Sequence, residues 1–133
     1  MNPAYFETHF LLESPSSDWP AEFAIITAYA TSGETWTAEQ NQAADKRLET
    51  ELRTSARWMK RLTGYSPTSG HAEPGWAVDM NWTIACDIGQ RYKQEAIYFV
   101  IKDSLYVTHC DPQKRGLIPV GAFLERLALT RHD

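Results

Sequence analysis

The apolar run FAIITAYA at residues 23–30 limits what this chain can fold into more than any other feature. Eight residues are too few to cross a membrane as a helix. A nearly continuous apolar run of this length reads as a strand covered on both faces or lying at the centre of a core. A second run, AIYFVIK at 96–102, has the same character. After a turn at Asp103-Ser104, LYVTHC at 105–110 returns as its partner strand.

Two helical patterns stand between these strands. Thr37 and Gln40 form a Thr-x-x-Gln capping box, a helix start. At 100° per residue, Asn41, Ala44, Leu48 and Leu52 share one sector. Lys46, Arg53, Arg57 and Lys60 take the opposite sector if the helix runs that far, and Glu49 stands i,i+4 to Arg53. A second helix is predicted over 82–93, capped by Asn81 or Asp79, with Ile84, Ala85, Ile88 and Tyr92 buried. Gly89 in its interior costs about 1 kcal/mol relative to Ala, and a close helix–strand approach would explain it. Shorter strands are predicted over 5–12, 58–63 and 76–78. SPSSDWP (14–20) and GYSPTSGHAEPG (64–75) read as loops, and residues 117–129 as a short docked helix carrying Phe123, Leu124 and Leu127. The middle of this order is β-α-β-β-α-β. The expected fold is a single α+β domain over 1–133, ferredoxin-like, with both helices on one face of a mostly antiparallel sheet.

Composition agrees with a packed domain. The chain has 133 residues, 43% of them hydrophobic and 23% charged, with five Trp, six Tyr and five Phe to fill a core. No stretch suits a transmembrane helix, and MNPAYFETHF lacks the basic start and apolar run of a secretory signal. Two cysteines, Cys86 and Cys110, build neither a disulfide framework nor a four-cysteine zinc site, so a reducing, cytoplasmic setting is expected, with no metal and no cofactor. The net charge is −4, and no Lys or Arg precedes Lys46. Such a chain is poorly suited to sequence-independent nucleic-acid binding. The basic block at 46–61 reads first as a solvated helix face and second as a binding patch.

Three groups of residues are candidates for chemistry. Asn41 sits in the apolar sector of the first helix, where a buried amide must find partners; it either pins a loop or lines a cleft. Thr27 and Tyr29 share one face of their strand, as ordinary strand residues or as one wall of a polar pocket. His71 and Glu73 point the same way if the backbone is extended, and Pro74 biases Glu73 toward that conformation. That pair can be a loop clasp, a binding contact, or an imidazole base oriented by a carboxylate. No Gly-rich phosphate loop, nucleophile elbow or zinc-helix motif is present.

Four stretches carry a resemblance: ITAY (26–29), the helix entry at 37–41, GHAEPGWAV (70–78) and YKQEAIYFV (92–100). Together the chain resembles the bacterial family known as domain of unknown function 3293. The family pattern continues ITAY with Asn-Pro, where this chain has Ala30-Thr31. It places Gly before the matched glutamine, where this chain has Lys93. The resemblance implies a small cytoplasmic protein with no established activity. It also groups Thr27, Asn41, His71, Glu73 and Gln94 as one set of polar positions.

The expected function is therefore a non-catalytic binding or regulatory module. A small polar ligand or a partner's peptide would sit between the first helix and the 64–75 loop. Thr27, Asn41, His71, Glu73 and Gln94 would supply polar contacts, and Tyr29 or Trp76 an apolar wall. The alternatives are an enzyme with His71 as general base, and weak nucleic-acid contact through Lys46, Arg53, Arg57 and Lys60. An exposed edge strand leaves a homodimer open.

Overall fold

The computed structural model describes residues 1–14, 18–29 and 36–129. After a 3₁₀ turn at Pro3–Phe6, the strands are β1 (His9–Leu12), β2 (Glu22–Ile26), β3 (Met59–Tyr65), β4 (Ala72–Val78), β5 (Ala96–Ile101), β6 (Ser104–His109), β7 (Ile118–Ala122) and β8 (Leu127–Leu129). Helix α1 (Ala38–Arg53) links β2 to β3, and α2 (Trp82–Arg91) links β4 to β5. Residues 15–17 of the expected first loop, and Ala30 at the end of FAIITAYA, lie outside the described residues.

All eight strands join one sheet, in the order β7-β6-β5-β2-β4-β3-β1-β8. Its pairings are antiparallel except β1 with β8, which run parallel. The sheet is strongly curled. Four strand spacings separate β1 from β5, roughly 19 Å in a flat sheet. Yet the rings of Phe10 on β1 and Tyr98 on β5 meet edge to face at 5.3 Å. The two edge strands, β7 and β8, are joined by only Phe123 and the 3₁₀ turn Leu124–Arg126. So short a link spans at most about 17 Å, and the edges must come round toward each other. Arg126 stitches that seam: its guanidinium donates to the carbonyls of Phe6, Thr8 and Val120.

The ferredoxin-like expectation is thereby corrected. The α+β class stands, but the layout is an eight-stranded mixed sheet curled into a half-barrel, with an apolar core on each face. The expected tail helix is instead β7, a 3₁₀ turn and β8, because the tail's apolar residues close the sheet. The 64–75 segment is a hairpin with a short connection at 66–71, not a long loop.

The convex face carries the helices. Thr37 and Gln40 make the capping box, each side chain accepting from the other's backbone N–H at 3.1 and 2.8 Å. Ala44, Leu48 and Leu52 are buried against Trp76 and Val78. On α2 the buried residues are Ala85, Cys86, Ile88 and Gly89, while Ile84, expected inside, is exposed. Gly89 has the expected cause: a Cβ there would lie 2.7 Å from Cys110 Sγ and 2.8 Å from Ile97 Cγ2. The helix α1 ends at Arg53, so Arg57 and Lys60 do not extend its basic face. Lys46 and Arg53 both pair with Glu49, and Lys60 Nζ donates to Ser14. The hairpin between β5 and β6 turns on Lys102 and Asp103, both at positive φ, one residue earlier than expected.

Candidate functional site

The concave face is filled at one end and hollow at the other. At the filled end, Phe123 meets the rings of Trp19, Phe23 and Phe10 at 4.9, 5.2 and 5.7 Å. Trp58 and Leu12 complete that plug. At the other end the inward positions of the same strands carry small or polar residues: Thr8, Thr27, Gly64, Glu73, Gly75 and Ala96. They leave a cavity of about 370 Å³. Phe10, Ile25, Leu62 and Tyr98 form its apolar floor and walls, with Tyr5 and Tyr65 beside them.

The mouth is shaped by Pro74. The ladder between β2 and β4 stops at the Ile26–Trp76 pair, two residues short of it. Beyond that point Thr27 replaces the ladder: its hydroxyl donates to the Pro74 carbonyl at 2.9 Å and accepts from the Tyr29 N–H at 3.2 Å. Gly75 permits the approach, since a Cβ there would lie 2.7 Å from the Ile26 carbonyl oxygen. Gly64 faces Glu73 across the β3–β4 pair, and its missing side chain leaves room above the carboxylate.

Gln94 closes one side. It is 6% exposed, and its Nε2 donates to the carbonyls of Tyr29 (2.8 Å) and Tyr92 (3.2 Å). On the rim, His71 Nε2 and Glu73 Oε1 stand 3.1 Å apart. The imidazole is 73% exposed and the carboxylate 27%. Burial holds the Glu73 carboxyl above its ordinary range, and the adjacent His71 offsets this only in part. Burial, with the Glu95 and Glu73 carboxylates next, pushes the Tyr5 phenol up to about 12. Burial also raises the Tyr98 phenol, whose hydroxyl donates to the Tyr5 carbonyl at 2.7 Å. Both phenols are neutral in ordinary solution.

Of the residues singled out in the sequence, Thr27, His71, Glu73 and Gln94 line this one cavity. Asn41, Tyr29 and Trp76 do not. Asn41 is on α1, across the sheet from the cavity. Tyr29 contributes its backbone carbonyl. Trp76 points to the convex side, 8% exposed, with the Arg61 and Arg53 guanidinium groups 4.5 and 5.6 Å from its ring. The expected cleft between the first helix and the 64–75 segment is thus relocated. Side chains alternate along β4, so Glu73 and Gly75 face inward while Trp76 and Val78 meet the helix. Sequence reading missed Tyr5, Phe10, Gly64, Tyr65 and Tyr98. The inward alternation Leu62, Gly64 on β3 is a signal that could have found one wall.

A scan against family models matches residues 26–97 to a protein of unknown function (DUF3293). That is 72 of 133 residues. The chain belongs to the DUF3293 family. No curated protein and no solved structure matches it. The DUF3293 match contains Thr27, Gly64, His71, Glu73, Gly75 and Gln94, hence most of the polar cavity wall.

The position of Lys93 has a physical meaning. It has φ of 60° and follows Tyr92, the C-cap of α2. The N–H of Gln94 bonds the Gly89 carbonyl at 2.9 Å, and that of Lys93 bonds Gln90 at 3.0 Å, a Schellman cap. The left-handed residue of such a cap is usually Gly. This cap aims the Gln94 side chain back at Tyr29 and the cavity.

A second hollow, of about 400 Å³, lies on the convex side between Trp36, Arg47, Glu51, Arg91, Tyr92 and Lys93. Its carboxylate is already engaged by Arg91 and the Tyr92 hydroxyl. Cys86 and Cys110 are buried free thiols, both raised by burial and so poorly reactive. Among the described residues no cluster of three or more His, Cys, Asp or Glu could hold a metal ion, and no helix is long and apolar enough to cross a membrane.

Proposed function

We propose that this protein is a non-catalytic binding module that takes a small molecule into the open end of its half-barrel. The supporting observation is the contrast within one interior. One end of that interior is filled by packed aromatics, and at the other the inward positions carry Gly64, Gly75 and Ala96 around a hollow of about 370 Å³. Cavities of this size, apolar in the main with a few convergent polar groups, hold small ligands. The Thr27 hydroxyl and the Gln94 Nε2 bond the backbone of the mouth, so they hold its shape. Glu73 is the acidic side chain on the cavity wall. The imidazole of His71 stands largely in water with Glu73 as its side-chain partner, which suits a rim contact better than a base in an enclosed site.

The test uses a neutral amphiphile, phenylbutanol, titrated into the protein and followed by the amide NMR spectrum. The expected result is saturable shifts confined to Ile25, Thr27, Gly64, Gln94 and Ala96, abolished by Gly64→Leu. Shifts spread over the convex face, or unchanged by Gly64→Leu, would contradict cavity binding.

A further inference from the structure

We infer that the ligand of this cavity carries a positive charge: an amine or quaternary ammonium on an apolar body. The inference rests on the binding reading above and names its ligand class. Three observations carry it. Among the described residues Glu73 is the only acidic side chain lining the cavity, and no Lys or Arg lines it. Apart from His71 on the rim, no side chain among the described residues engages its carboxylate. Arg126, a half-buried cation, is spent on three backbone carbonyls at the seam.

The walls add to this. Tyr5, Phe10, Tyr65 and Tyr98 line the cavity, with Phe10 and Tyr98 at 5.3 Å and Tyr5 and Tyr98 at 6.2 Å between ring centres. Ring faces around a hollow attract a cation through their quadrupole, and the attraction grows when the site is desolvated. A carboxylate beside such rings neutralises the charge that the cation brings in. An anion would face Glu73 with no compensating lysine or arginine among the described residues of the lining. A neutral ligand would gain the apolar floor and forgo the charge.

Isothermal titration of the full chain with phenylbutylamine, phenylbutanol and phenylbutyrate separates these cases, because the three share one apolar body. The amine is expected to bind about tenfold tighter than the alcohol, and the carboxylate most weakly. In Glu73→Gln the amine should lose most of its advantage over the alcohol. An alcohol that binds as tightly as the amine, or a carboxylate that binds tightest, overturns the charge assignment and leaves the cavity reading standing. Absence of binding by all three overturns both. The wild-type series alone decides the point should the variant fold poorly.

Discussion

The two ends of the half-barrel interior are built from the same strands and do opposite things. Phe23 on β2 belongs to the plug and Thr27, just past that strand, to the cavity; Leu12 on β1 and Thr8, just before it, divide in the same way. At the plugged end, five aromatic or aliphatic side chains converge, and the tail is drawn across the seam by Phe123. At the hollow end, inward residues shrink to glycine and alanine, and the β2–β4 pairing stops two residues short of Pro74. Protein interiors are normally close-packed, so leaving an end unfilled forgoes stabilisation. The curl of the sheet is held at one end and encloses the cavity at the other.

That contrast can be broken in order of expected effect. Phe123→Ala removes the plug's central ring and should cost about 3–5 kcal/mol in urea denaturation. A loss well under this range would mean that the plug does not hold the seam. Gly75→Ala forces a Cβ onto the Ile26 carbonyl and should cost roughly 1–3 kcal/mol, with the mouth distorted. Gly64→Leu should change stability by less than about 1 kcal/mol, since its Cβ finds ordinary contacts at 3.4 Å or more, while abolishing ligand binding. Lys93→Gly should stabilise by up to about 1 kcal/mol by relieving the left-handed backbone, with no effect on the plug.

Glu73 gives the smallest and most local effect. Its folded carboxyl is raised above the ordinary value, so the fold is favoured when it is protonated. Its contribution is fully present below the unfolded carboxyl pKa and is lost as pH rises through the raised folded value. Wild type should therefore lose some stability relative to Glu73→Gln across the mildly acidic range. Parallel pH profiles for the two proteins would place Glu73 in water rather than in the hollow.

Much of the local structure was legible in the sequence. The Thr37–Gln40 box, the buried Ala44, Leu48 and Leu52, and the helix–strand contact at Gly89 all follow from short-range patterns. The family resemblance groups Thr27, His71, Glu73 and Gln94, which line one cavity, with Asn41, which does not. The curl was not legible, because it depends on Phe123 and Arg126 meeting partners more than a hundred residues earlier in the chain, such as Phe10 and Thr8. GYSPTSGHAEPG looked like a loop because Gly and Pro usually mark one. Here Gly64 and Gly75 sit inside strands, where a cavity and a close backbone approach exclude side chains. Asn41 and Trp76 misled because helical and strand periodicity show which residues share a face, and not which face of a curled sheet is concave.

The most direct measurement is a crystal structure of the protein with phenylbutylamine. The phenyl ring is expected against Leu62, Phe10 and Tyr98, with the amine within hydrogen-bond distance of Glu73. A cavity closed over by Tyr5 and Tyr65, or a ligand bound only on the convex, helix-covered side, would contradict the assignment of the hollow end as the binding site.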